Sequence, residues 1–222
     1  EGRTRNASQR YLESLRIRPE NEKALLSLAL LSRQEGDTSA AEAYLELALR
    51  YHSNDARVHY AAAQLAASDA RGLERAARYL QTALALDPGF RNARRLLAEV
   101  HLRQGQAAAA IEELRQLLEG GRGEALLWYA LGLAYAQGGD TEQAVRSLSQ
   151  ALRLRPDDEI ARLAVENLAL ERLAIGDPVR TQLAEYHVGR GAELRERNLF
   201  SRALVEYRRG LRLDPEGKSV RL

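Results

Sequence analysis

The 222-residue chain carries 33 Lys and Arg against 31 Asp and Glu, with the two signs interleaved along its length, so no concentrated phosphate-binding stripe forms. It contains no cysteine, which excludes a disulfide framework and thiolate metal ligation. Apolar residues make up 45% of it but aromatics only 5%, a balance suited to helices packed through Ala and Leu, and no apolar run approaches the ~18–20 residues of a membrane helix.

Taken in chain order, the prolines set a ruler. Pro19 to Pro88 is 69 residues and Pro88 to Pro156 is 68, each two periods of 34 with one insertion in the first, and Gly105 to Gly139 is again 34. Residues 1–19 read as the second half of a repeat, with Ala7, Tyr11 and Ser14 on one face. Residues 20–53 form a whole unit that turns at Gly36-Asp37. Residues 54–88 form another, whose extra residue is expected in the turn at 68–72. Residues 89–122 carry the stripe Leu97, Ala98, Ala110, Leu114 and Leu117, with glycines at 120, 121 and 123 where a closing proline is expected. Residues 123–156 are the most regular unit. The period then breaks, because Pro156 to Pro215 is 59 residues, 9 short of two periods. That deficit is about two and a half helical turns, so one helix is effectively missing. Residues 157–177 read as one irregular helix ended by Gly176. Asp177-Pro178 supplies an N-cap and a first-turn proline. They open one long helix predicted over 178–197, and a last helix over 201–213 completes a unit at 178–215. Residues 216–222 read as the start of a further repeat, so the chain is expected to be a fragment of a longer protein. Lys23 and Lys218 are the only lysines, and the Arg- and Ala/Leu-rich usage points to a bacterial source.

In the regular unit, apolar and small residues recur at helical spacing from Leu127 to Tyr135, Gly138-Gly139-Asp140 interrupts them, and a second stripe runs from Ala144 to Leu154 before Pro156. Gly132, Ala144 and Ala151 fall where the two helices would cross, letting the axes approach to roughly 8–10 Å, with Trp128, Leu131, Tyr135 and Leu148 filling the space around them. This stretch resembles a tetratricopeptide repeat (TPR), and the 34-residue period is that family's. The resemblance implies an all-α, right-handed α-solenoid of stacked helical hairpins whose first helices line a concave groove. The residues turned into that groove are then Leu26, Leu30, Arg33, Arg57, Tyr60 and Gln64. Asn92, Arg95, Glu99 and Arg103 follow, then Tyr129, Leu133 and Gln137, and in the irregular unit Leu163, Asn167 and Leu170. Tyr60 and Tyr129 in an apolar setting suit a surface that anchors a peptide or partner helix. The alternative is that these side chains only pack neighbouring first helices together.

Two known TPR modes are not expected. The clamp for a C-terminal carboxylate needs Lys and Asn where this chain has Leu26, Leu30, Tyr60, Gln64, Arg95 and Glu99. The Asn ladder of arrays fused to sugar-transferring enzymes falls here on Ser27, Ala61, Leu96, Ala130 and Ala164. No catalytic motif is present. No histidine pair has the i, i+4 spacing of a helical zinc site, and His59 and His101 are expected as hydrogen-bonded packing residues. The adjacent acids Glu112-Glu113 and Asp157-Asp158 diverge on a helix, and Trp128 is expected in the packing. The function expected is therefore a non-catalytic protein–protein interaction scaffold without metal or cofactor, for a protein or peptide partner. Neither nucleic acid nor membrane insertion is expected. The competing reading is a structural module that self-associates through its open ends or spaces a larger, cell-envelope complex. The compartment stays open, leaning towards a bacterial periplasm or envelope over the cytoplasm.

Overall fold

Short polar side chains start six of the helices. In the computed structural model, which describes residues 2–119 and 123–217, Asn21, Asp37, Asp55, Asp140, Asp158 and Asp177 each accept a hydrogen bond from a backbone N–H of the following first turn. These caps satisfy donors that the helix itself leaves open. Among the described residues the chain is helical throughout, without a strand. It divides into two compact units, Glu1–Gly120 and Gly121–Leu222. The glycines at 120 and 121 and the body of the truncated repeat, 218–222, lie outside the described residues.

The first unit contains α1 (Gly2–Ile17), α2 (Glu22–Gln34), α3 (Thr38–Tyr51), α4 (Ala56–Ala66), a 3-10 turn (Ala70–Gly72), α5 (Leu73–Leu86), α6 (Arg91–Arg103) and α7 (Ala107–Glu119). Consecutive helices pack on one another from α1 to α7. The core runs through the small-residue stripe: Leu25, Ala48 and Val58 cluster at one end, Ala29, Ala41, Leu45 and Leu65 beside them. A larger cluster of Ala63, Ala66, Leu73, Ala76, Leu80, Ala93, Leu97 and Val100 joins α4, α5 and α6. The inserted residue forms the 3-10 turn. Its Gly72 packs against backbone: a Cβ there would lie 2.0 Å from the Ala66 carbonyl oxygen, so any side chain would push the turn off α4.

The second unit contains α8 (Ala125–Gly138), α9 (Thr141–Leu154), α10 (Glu159–Arg172), α11 (Pro178–Glu196) and α12 (Phe200–Leu213). The α8–α9 hairpin turns at Gly139, where φ is +85°, a left-handed conformation that costs glycine nothing. Gly132, Ala144 and Ala151 are buried at the crossing of the two helices, with Leu148 seated against Gly132. No second helix stands between α10 and α11. α11 runs its 19 residues without a break at Gly189 or Gly191, packs extensively on α12 and only lightly on α10. Two devices close this irregular unit. Gly191 admits the Tyr207 ring, which a Cβ would meet at 2.7 Å. The buried Arg180 guanidinium donates to the carbonyls of Leu213 at 2.7 Å, Leu173 at 3.1 Å and Arg212 at 3.2 Å, capping the ends of α10 and α12 together.

Candidate functional site

On the first unit, α2 and α4 meet over a shallow depression. Leu26, Leu30, Arg33 and Gln64 line it over a floor of Ala29, Leu45, Ala61 and Leu65. Leu30 is 45% exposed at its rim. Helical spacing turns Leu26, Leu30 and Arg33 to one face, and the buried Leu25, Leu28 and Ala29 on the neighbouring face hold that orientation. Tyr60 is half-buried: its ring tilts against Phe90 with centroids 4.9 Å apart, and Gln64 Nε2 donates to its hydroxyl at 3.1 Å. Part of its surface is thus spent on packing α4 against the start of α6.

The arginines divide by partner. Arg57 pairs with Asp55 at 2.7 Å and Glu22 at 2.9 Å, so its charge is largely met within the chain. Its hydrogen bonds hold the Asp55 carboxyl down to about 2, against the opposing effect of burial. Arg103 Nη1 donates to the Ala67 carbonyl at 2.5 Å and caps the end of α4. Asn92, Arg95 and Glu99 stand exposed along α6, with Glu99 one turn beyond Arg95.

On the second unit, Tyr129 is half-buried and Leu133 and Gln137 are exposed on one face of α8, while Leu163 and Asn167 are exposed and Leu170 half-buried on one face of α10. Two neighbours that the repeat pattern did not single out extend these faces. Leu126, 55% exposed, lies three residues before Tyr129, and Ile160, 68% exposed, lies three before Leu163. Both follow the i, i+3, i+7 spacing and were legible on that ground.

His59 and His101 are buried, facing the Ser53 carbonyl at 2.7 Å and Gln106 Oε1 at 2.7 Å respectively. Trp128 is half-buried, its indole nitrogen against Gly123. His187, which the sequence did not distinguish, is fully buried between Glu166 and Glu206. Among the described residues no group of three or more His, Asp and Glu is disposed to hold a metal ion, and no helix is long and apolar enough to cross a membrane.

Helical hairpins with half-exposed apolar and aromatic residues on their first helices define a repeat protein of the interaction type. The sequence matches the tetratricopeptide repeat family over residues 1–65 and 69–134, and again over 125–158. The chain belongs to that family. It is 25% identical over 193 residues to human Protein O-mannosyl-transferase TMTC1, covering 87% of this chain but 19% of that protein's length. Among solved structures it is similar to the C-terminal part of a TPR repeat-containing protein from Cytophaga hutchinsonii, with a TM-score of 0.69 and 14% identity over 98% of this chain and 93% of that one. It is also similar to YrrB, titled a TPR protein with an unusual peptide-binding site, with a TM-score of 0.52 and 21% identity over 79% of this chain and 95% of that one. At these identities the structural likeness speaks for the fold. Proteins of this family bind protein or peptide partners and are typically non-catalytic scaffolds.

Proposed function

We propose that the chain is a protein–protein interaction scaffold that holds a peptide or partner helix against the exposed faces of its first helices. The observation that carries this is that large apolar side chains are left exposed on first helices of each unit: Leu30 on α2 in the first, and Leu126 and Leu133 on α8 and Ile160 and Leu163 on α10 in the second. A helix face that keeps its buried stripe on one side and a second apolar stripe on the other has more apolar surface than its own packing uses. Peptides selected from a displayed library against the chain provide the test. Hydrogen exchange then maps them: protection is expected on α2, α8 or α10, and binding is lost in Leu126→Arg/Leu133→Arg/Leu163→Arg while the fold is kept. Selected peptides that protect only second helices and bind this variant equally well overturn the reading.

A structural role in assembly is favoured by a different feature. Phe200, Leu204 and Leu211 are 62%, 49% and 47% exposed along one side of α12. Sedimentation over a wide concentration range tests it: association abolished by Phe200→Glu/Leu204→Glu supports it, and a monomer throughout counts against it.

A further inference from the structure

The least regular part of the fold contains its most polar interior. His187 on α11 is fully buried, and both of its ring nitrogens face carboxylates. Nε2 lies 2.7 Å from Glu166 Oε1 of α10, and Nδ1 lies 2.6 Å from Glu206 Oε2 of α12. Arg209 of α12 reaches Glu166 at 3.1 Å, Glu206 at 3.9 Å and Glu159 of α10 at 3.8 Å. Arg190 of α11 lies 3.7 Å from Glu206. Tyr186 stacks edge-on to the His187 ring at 5.3 Å and carries the Arg162 guanidinium of α10 on its face at 3.6 Å. A neutral imidazole has one N–H and one lone pair. Two carboxylate oxygens at hydrogen-bond distance on opposite sides of the ring therefore require two N–H donors, or a proton on one carboxyl. Burial alone would push the Glu166 carboxyl up. Hydrogen bonding and charge from His187 and Arg209 bring it below its ordinary value. The other oxygen of Glu206 faces both Arg190 and Arg209, so the cations around the two carboxyls favour the proton on the ring.

We infer that His187 is a doubly protonated latch that ties the α11–α12 hairpin to α10, and that loss of its second proton at alkaline pH releases the hairpin. The place is suited to this. With no helix between α10 and α11 the packing across that seam is light, and the ion cluster, together with the Arg180 bonds to the ends of α10 and α12, supplies much of what joins it. Deprotonation leaves a carboxylate against a lone pair in a buried site, where an unmatched charge is costly. The seam opens before the tightly packed α11–α12 hairpin does, and the exposed α10 face with Leu163 and Asn167 changes its neighbours.

The test uses the whole chain. Long-range proton–nitrogen spectra, with the His187 signal identified by its absence in His187→Gln, are expected to show both ring nitrogens protonated at about pH 6 and one tautomer at about pH 9. Because the chain has no cysteine, spin labels on Glu171→Cys of α10 and Arg208→Cys of α12 report the seam directly. One narrow distance is expected at the lower pH, with a longer, broader distribution at the higher, reversible on return. In His187→Gln, and in Glu206→Gln, whose amide accepts from or donates to the ring, the distribution is expected to stay the same at both values. Either variant suffices if the other does not fold. A ring carrying one proton at about pH 6 with the hairpin docked overturns the proposal. So does docking unchanged while the ring titrates, or the same pH response in the variants.

Discussion

Two glycines in helix interiors predict opposite responses to the same substitution. At Gly132 a Cβ would stand 2.6 Å from Leu148 Cγ, 2.9 Å from its Cδ2 and 3.1 Å from its backbone nitrogen. Leu148 is 1% exposed, and its backbone moves only if α9 moves away from α8. Overpacking of this kind costs about 1–3 kcal/mol, and contact with backbone places it in the upper part of that range. Ala gains about 1 kcal/mol over Gly in helix propensity, so Gly132→Ala is expected to lose about 1–2 kcal/mol net. At Gly189 in α11 a Cβ would meet nothing within 4 Å, and Gly189→Ala should keep the propensity gain of about 0.5–1 kcal/mol. Hydrogen exchange of the α8–α9 and α11–α12 amides reads each hairpin separately, which matters because repeat units open semi-independently. Slower exchange in α8–α9 of Gly132→Ala, or both variants shifting in one direction, would refute the assigned crossing.

Arg180→Met keeps the bulk of a buried side chain and removes its three hydrogen bonds to the ends of α10 and α12. Leaving those carbonyls unpaired is expected to cost about 2–4 kcal/mol, read as a lower denaturant midpoint for the second unit, and an unchanged midpoint contradicts the capping role. Asp55 predicts an acid limb. Its folded value is depressed from 3.8 to about 2, so its contribution is full above about pH 4 and is lost as pH falls towards 2. Because Arg57 is 66% exposed, solvent screening limits the contribution to about 1 kcal/mol at most. Asp55→Asn, which keeps a capping oxygen, should flatten stability between about pH 4 and pH 2 relative to the parent, and an identical limb in both removes this ion pair from the explanation.

The hairpins were legible because their determinants are local. An Asp or Asn cap, a glycine that tolerates positive φ and small residues at a fixed spacing within 34 residues state each pair of helices without reference to the rest of the chain. The exposed faces were legible in part. Leu30, Leu133 and Leu163 follow from helical periodicity, and so would Leu126 and Ile160 had the pattern been extended by one turn. The internal partners of Tyr60, Arg57 and Arg103 were not, because the Tyr60–Phe90 stack, the hold of Glu22 on Arg57 and the reach of Arg103 to the Ala67 carbonyl join different helices.

The sequence by itself determined the family, the helical composition and the place where the repeat fails, since a period and its interruption are properties of spacing. Only the tertiary structure decided what fills the gap. Glu166, His187 and Glu206 stand 21 and 19 residues apart, on three helices whose mutual register no repeat prescribes. Each reads as an ordinary polar position until packing removes its water. Burial then turns three unremarkable residues into one charged cluster, because in the interior a charge must find its partner within the fold.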